Sequence, residues 1–324
     1  MTGPPAATGE TDVAGALRID PLAPAHPGRW EDGPVVVCHT DRAAVPVRVV
    51  ANRRPDVATE HFEVHRVGGR TLVLHRLRPD ELDDDIAGLV AGELAAPGVV
   101  GSAADFERVF TGLVRSTISD PLTAWSTFYA NTLATLRAPT TAVDPGAPPE
   151  SSLAAFAPVH ERAVAEVAGA TVLDLGSCFG FLPLRLAAEG FAVTASDHTV
   201  GTMGLLAAVA PRLAARHRAR PVRTLVCDAR AVPAADAAVD TVTAVHLLEH
   251  LPAADTERLV DEMCRVARRR VVVAVPYEDT PDPVYGHLRR FDADDLGALA
   301  ARARRGGWSA RVDDDHGGWL VCSR

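Results

Sequence analysis

The sequence predicts an α/β chain whose C-terminal half is a mostly parallel sheet, with a smaller α+β module in front of it. Three observations carry this. From residue 153 onward, short β-branched runs alternate with helical periodicity, the pattern of right-handed βαβ crossovers. Residues 35–137 open instead on strands and then pass to helices. Between the two, APTTAVDPGAPPES at 138–151 holds four prolines and almost no large apolar side chain, which marks a linker. A length of 324 residues accommodates two domains of roughly 100–200 residues each.

Taken in order, residues 1–34 carry Pro4, Pro5, Pro21, Pro24, Pro27 and Pro34 with little hydrophobic periodicity, and read as a loosely attached arm. Val35–Val37 and Val47–Val50 are strand-like runs. FEVHRV at 62–67 and TLVLH at 71–75 alternate about Gly68-Gly69, a hairpin by pattern. From Pro79 the period becomes helical: Ile86, Leu89, Val90 and Leu94, then Phe106, Val109, Phe110 and Leu113, then Leu122, Trp125, Phe128, Leu133 and Leu136. Residues 152–324 then read helix 153–167, strand 171–175, helix 182–188, strand 192–195, helix 199–216, strands 222–227 and 241–245, helix 254–267, strand 270–275 and helix 293–304. Two closing strands, 308–312 and 319–322, meet across DDDHGG and must be antiparallel neighbours.

Composition narrows the function. A hydrophobic share of 47% with 23% charged residues is ordinary for a globular protein. The net charge of −9 disfavours electrostatic capture of nucleic acid, which requires clustered cations. No lysine occurs, so all 33 basic residues are arginine. That removes a P-loop lysine, a Schiff base and a lysine general base. Five cysteines without a CxxC pair suggest neither a disulfide framework nor a zinc site, and fit a reducing cytosol. The N-terminus lacks a basic stretch followed by an apolar core. No apolar run reaches the roughly 20 residues of a membrane span, so no membrane partner is expected.

The segment VLDLGSCFG at 172–180 carries the most chemistry: an apolar strand running into a glycine-containing turn before a helix. Gly176 lets the backbone approach a ligand, and the turn leaves N–H groups near a helix start. Asp197 ends the next strand, where a carboxylate accepts both hydroxyls of a ribose. Cys227-Asp228-Ala229 ends the third strand at the same edge. Together they predict a nucleoside site. A dinucleotide site would present GxGxxG, whereas Asp174 stands two residues before Gly176. A carboxylate there repels pyrophosphate and favours a cationic ligand bearing an ammonium and a sulfonium, namely S-adenosylmethionine.

These ordered motifs (LDLGSCFG, SD, CDARAVP, DTVTAVHLLEHL, VVVAVP and the terminal hairpin) resemble the class I S-adenosylmethionine-dependent methyltransferases over residues 153–324. The resemblance implies a Rossmann-like, seven-stranded sheet whose last strand is inserted antiparallel. It implies that Asp174, Gly176, Ser177, Cys178 and Gly180 face the methionine moiety, that Asp197 with His198 takes the ribose, and that Asp228 and Ala229 take the adenine. His246 would line the cofactor pocket. Cys178 departs from the family, which has glycine there, and narrows the loop. The strings LGSCFGFLPLRLA, ISDPLTAWSTFYANTL and PYEDTPDPVYGHLRRFD further resemble the mycofactocin oligosaccharide methyltransferases, which would make the acceptor a glucose hydroxyl of a glycosylated small molecule.

A sugar hydroxyl is a weak nucleophile and benefits from a base within reach. Without lysine, the expected base is His250 or His287, which sit in loops at the carboxyl edge. Glu249, Tyr277, Asp279 and Arg290 are the expected acceptor contacts. Asp279, Asp282 and Glu249 could supply oxygens to Mg²⁺, yet no fixed spacing requires it, and no metal is expected. His61, His65 and His75 alternate on the hairpin and read as a half-exposed strand face. Two rivals stay open: an NAD-dependent oxidoreductase, against which the missing GxGxxG and the terminal hairpin speak, and a non-catalytic cofactor-binding protein. The acceptor's identity and the oligomeric state are not legible in the sequence.

Overall fold

The computed structural model describes residues 19–43, 50, 53–137, 152–217, 219–281 and 286–324. The first 18 residues of the arm, the linker 138–151, Val47–Val49 and Asp282 lie outside the described residues. Val50, assigned above to a strand run, is helical.

The arm is a correction. Its residues β1 (Arg29–Asp32) pair antiparallel with β2 (Val35–His39), and Trp30 is buried. Backbone oxygens of the same stretch accept from the core, Pro21 from Trp125 Nε1 at 2.8 Å and Ala23 from Arg115 Nη2 at 2.8 Å. The prolines thus interrupt periodicity without releasing the segment. β3 (Val57–Ala58), β4 (Phe62–Val67) and β5 (Arg70–His75) complete a five-stranded sheet of order β1-β2-β5-β4-β3, in which β2 and β5 run parallel. β2 is buried along its whole length, as its unbroken VVVC run demands of a central strand. The histidines of the hairpin are a second correction. His65 and His75 are buried rather than half-exposed, and His75 Nε2 lies 2.8 Å from Ser116 Oγ.

A short helix, α1 (Ile86–Val90), leads through a π-helical stretch at 91–95 to α2 (Ala103–Thr117) and α3 (Pro121–Thr135). Ser102 and Asp120 cap the latter two by accepting from the N–H groups of Asp105 and Thr123. In α3, Ala124, Trp125, Phe128, Tyr129, Thr132 and Leu133 are all buried. The helix has apolar groups around most of its circumference because it is covered on several sides. It packs on α2 and, across the middle of the molecule, on α4 (Ser152–Ala165), α5 (Phe181–Ala188) and α6 (Val200–His217).

The second sheet has the expected architecture: seven strands, mostly parallel, with an antiparallel C-terminal hairpin. Its strands are β6 (Thr171–Leu175), β7 (Ala192–Asp197), β8 (Arg223–Val226), β9 (Val239–Val245), β10 (Ala267–Val275), β11 (Ser309–Asp314) and β12 (Gly318–Ser323). They lie in the order β11-β12-β10-β9-β6-β7-β8, with β12 running antiparallel to both its neighbours, β10 and β11. α7 (Ala253–Val266) and α8 (Ala293–Arg305) cover the face opposite α4–α6. The chain winds from β6 outward through β7 and β8, then crosses back to β9. β6 and β9 are neighbours, so the crevice at their carboxyl ends is the topological switch point where ligands bind in such sheets. One apolar cluster runs from Val37 and Phe62 through Phe110, Trp125 and Phe128 to Val172 and Leu206, so both sheets share an interior. Among the described residues no helix is long and apolar enough to cross a membrane.

Candidate functional site

Two loops face each other at the switch point. In the first, β6 ends and the backbone turns through Gly176 (φ +68°), Cys178 (φ +47°) and Gly180 (φ +79°) into α5. A Cβ at Gly176 would stand 2.6 Å from Leu247 Cδ1, so only glycine lets the turn lie against the second loop. Cys178, the departure noted above, holds a left-handed conformation that costs a non-glycine residue about 1–2 kcal/mol. Cys178 is exposed as a residue; protein crowded around the thiol, with the carboxylates of Asp84 and Asp197, raises its pKa.

Carboxylates fix this loop. Asp197 Oδ2 accepts from Cys178 N–H at 3.1 Å and Oδ1 from Thr199 N–H at 2.8 Å, while Ser177 N–H donates to Ser196 O at 2.9 Å. Asp174 is turned inward rather than toward a ligand. It is 3% exposed and accepts from Ser177 Oγ at 2.6 Å and Thr243 Oγ1 at 2.5 Å, tying β6, the turn and β9 together. Burial pushes its carboxyl up to about 6 against the pull of those hydroxyls. Phe179 plugs the loop into the N-terminal half. Its ring lies 5.7 Å from Phe110, 5.6 Å from Phe128, 6.2 Å from Trp125 and 6.4 Å from Tyr129. Further along the edge, Asp228 is exposed and held by Arg230, whose Nε and Nη2 reach it at 2.9 and 2.7 Å, keeping the carboxyl below its usual range. His198 is exposed beside Asp197, and Ala229 is half-buried.

The second loop follows β9. His246 also has a positive φ, +53°; its ring packs 4.8 Å from Phe156 of α4, and burial lowers its pKa to about 4. Leu248–His250 form one 3-10 turn. Glu249 is 1% exposed, and neither carboxylate oxygen has a hydrogen-bond partner. His246 Nδ1 stands 3.4 Å from its Oε1, outside hydrogen-bond geometry. Burial pushes this carboxyl up to about 8. Leu288 and Arg289 donate N–H groups to Glu249 O at 2.8 and 3.3 Å, which draws the stretch after β10 over the turn. That places the His287 ring 4.9 Å from His250, nearly perpendicular. His250 Nδ1 lies 3.2 Å from Gly286 O, and His287 Nδ1 lies 2.8 Å from Glu278 Oε2.

Of the residues singled out from sequence, Gly176, Ser177, Cys178, Gly180, Asp174 and Asp197 assemble in the first loop, and His246, Glu249, His250 and His287 in the second. Tyr277 does not join them: its hydroxyl donates to Asp314 Oδ1 at 2.9 Å, toward the terminal hairpin. Asp279 and Arg290 are exposed and, among the described residues, make no hydrogen bond or ion pair with the cluster. Sequence reasoning missed Glu278 and Phe179. Glu278 lies between two residues that were singled out, and only the fold brings it to His287. Phe179 sits inside the quoted motif, and a large aromatic in a glycine turn was the available signal.

Fold and site define the class first. This is a doubly wound α/β protein with a ligand crevice at its switch point, lined by carboxylates and histidines. Residues 173–275 match the methyltransferase domain family, so the segment from β6 to β10 is a methyltransferase domain, and S-adenosylmethionine is its cofactor. No curated protein matches the chain. Among solved structures, magnesium protoporphyrin IX methyltransferase from Synechocystis PCC 6803 with bound SAM is 18% identical, covering 53% of this chain and 81% of its own, with a TM-score of 0.43. A SAM-dependent methyltransferase from Aquifex aeolicus is 19% identical over 50% of this chain and 87% of its own, with a TM-score of 0.39. A methyltransferase-like protein from Methanococcus maripaludis is 15% identical over 52% and 87%, with a TM-score of 0.41. The residues present fit the cofactor. The turn at Gly176 runs with a positive φ and carries no Cβ, and the acidic edge suits a sulfonium with its ammonium.

Proposed function

We propose that this chain is an O-methyltransferase that modifies a hydroxyl of a small, glycosylated acceptor. The observation that carries the reading is the group Glu249, His250 and His287, gathered beside the cofactor loop at the carboxyl edge. Bound in the crevice, S-adenosylmethionine supplies a methyl group already made electrophilic by its sulfonium. The backbone around Gly176 seats the methionine part, Asp197 takes the ribose hydroxyls, and Asp228 with the Ala229 backbone takes the adenine. The protein then has to align the acceptor with the methyl carbon and accept its proton. We assign that role to His250 or His287, whose rings lie 4.9 Å apart in the loops after β9 and β10.

The finer reading is a glucose hydroxyl of the mycofactocin oligosaccharide. The sequence strings around residues 175–187, 118–133 and 276–292 support it. Acceptor recognition falls to the module at 35–137, whose Asp84 carboxyl is close enough to Cys178 to act on its thiol; burial with Asp85 and Asp83 pushes that carboxyl up to about 7. Calorimetric titration with S-adenosylmethionine, S-adenosylhomocysteine and NAD tests the first step. Saturable binding of the first two alone is expected, and binding of NAD alone would overturn the reading. Transfer of labelled methyl to the oligosaccharide-bearing acceptor, and not to its aglycone, tests the second.

A further inference from the structure

We propose that Glu249, His250 and His287 form a binding site for one divalent first-row transition-metal ion, which polarises the acceptor hydroxyl. The inference deepens the proposed methyl transfer and rests on it for the metal's role, though not for the site. Each of the three side chains offers one ligand atom, and these atoms lie within 4.8 Å of one another. Such clustering alone would carry little. The second observation is Glu249: both oxygens lack a donor in a residue only 1% exposed. A buried carboxylate without partners is expensive, and a coordinated cation offsets that cost.

Tautomers point the same way. A carbonyl oxygen only accepts, so the contact between His250 and Gly286 O makes His250 Nδ1 the proton-bearing nitrogen and leaves the Nε2 lone pair for a ligand. Glu278 Oε2 lies 2.8 Å from His287 Nδ1 and holds the orientation of that ring. A carboxylate behind an imidazole fixes its orientation and raises its basicity, the usual support of a metal-bound histidine. Two imidazoles and one carboxylate suit zinc, cobalt, manganese or iron(II), whereas magnesium and calcium prefer oxygen ligands throughout. An acceptor oxygen bound to such an ion loses its proton to solvent as the oxygen–methyl bond forms, and the carbon–sulfur bond breaks with its electron pair retained by sulfur. With an ion bound, His250 and His287 serve as ligands, and the proton-accepting role given to them above passes to solvent.

The test uses the full chain, stripped by a chelator and titrated with Co²⁺ alone, followed by visible d–d absorption and calorimetry. One Co²⁺ per chain is expected, displaced by Zn²⁺ and not by an equal concentration of Mg²⁺. Glu249→Gln and His287→Ala should each abolish the spectrum. Glu278→Gln, which touches no metal, should weaken affinity about 10–100-fold. Absence of saturable Co²⁺ binding, or binding unchanged in all three variants, would overturn the site. If the two ligand variants fail to fold, as judged by loss of S-adenosylmethionine binding, the partly exposed Glu278→Gln decides. Wild-type protein that binds S-adenosylmethionine but no Co²⁺ refutes the metal site alone; protein that binds Co²⁺ but not S-adenosylmethionine refutes the methyltransferase reading and leaves the site standing.

Discussion

Phe179→Ala tests whether the N-terminal half sets the position of the cofactor loop. The ring has five aromatic neighbours, with Phe181 at 5.9 Å in addition to the four from α2 and α3. Truncating a fully buried phenylalanine costs about 3–5 kcal/mol. Phe179 is only partly buried, which reduces the transfer contribution, while ring pairing adds about 0.5–1.5 kcal/mol per good pair. The expected loss is about 3 kcal/mol, or a melting temperature lower by about 6 °C at ~2 °C per kcal/mol for a chain of this size. Urea unfolding followed by tryptophan fluorescence measures it, since Trp125 lies in the same cluster. Affinity for S-adenosylmethionine should fall in parallel, because the hydrogen-bonded Ser177 and Cys178 immediately precede the plug. Phe179→Leu keeps most of the volume and should lose less than half as much. A change below about 0.5 kcal/mol with unaltered affinity would show that the carboxylate hydrogen bonds position the loop unaided.

Three further outcomes follow from the same geometry. Asp197→Ala removes acceptors for two loop N–H groups and for the ribose; with charge-assisted bonds at about 1.5–3 kcal/mol each, calorimetry should show cofactor affinity reduced at least tenfold, and unchanged affinity would mean the nucleoside binds elsewhere. Gly176→Ala should destabilise through both its φ of +68° and the Leu247 clash. Leu247→Ala in the same chain should restore the clash portion in thermal unfolding; no recovery would place the whole cost in the backbone. Asp174 carries a pH signature. Its folded pKa near 6 lies above the unfolded carboxyl value, so the native state holds the extra proton and wild-type stability falls as pH rises through about 4–6. At 1.36 kcal/mol per pKa unit that is about 2–3 kcal/mol, and Asp174→Asn, which cannot ionise, should lack the decline in urea titrations across that range. A parallel pH profile for the two proteins would mean that Asp174 is not the buried acid.

The second sheet was legible almost strand by strand, because hydrophobic runs alternating with helical periodicity leave few topologies. The boundaries moved by no more than about three residues: β10, for example, starts at Ala267 rather than Arg270, since Ala267 already pairs with Val239 of β9 ahead of a register shift at Arg268 and Arg269. The first module was legible as α+β but not at its beginning. Prolines masked β1, whose pairing with β2 is a tertiary fact. Aspartates at strand tips were legible as an edge, yet their orientation was not. Asp174 points inward because Thr243 on the neighbouring strand supplies a hydroxyl that no local pattern announces. The histidine cluster was read one residue at a time. The N–H bonds of Leu288 and Arg289 to Glu249 O, with the His250 contact to Gly286 O, bring positions 249 and 287 together. Asp279, by contrast, has the composition of a ligand and faces solvent.

The apolar cluster common to both sheets makes the chain inseparable in practice. Expressed alone, the catalytic half would display an oily socket where α3 belongs and leave Phe179 dangling in water. Recombination between relatives at the proline-rich joint would therefore yield sticky fragments rather than new acceptor specificities, and diversification is confined to surface changes that leave the plug seated.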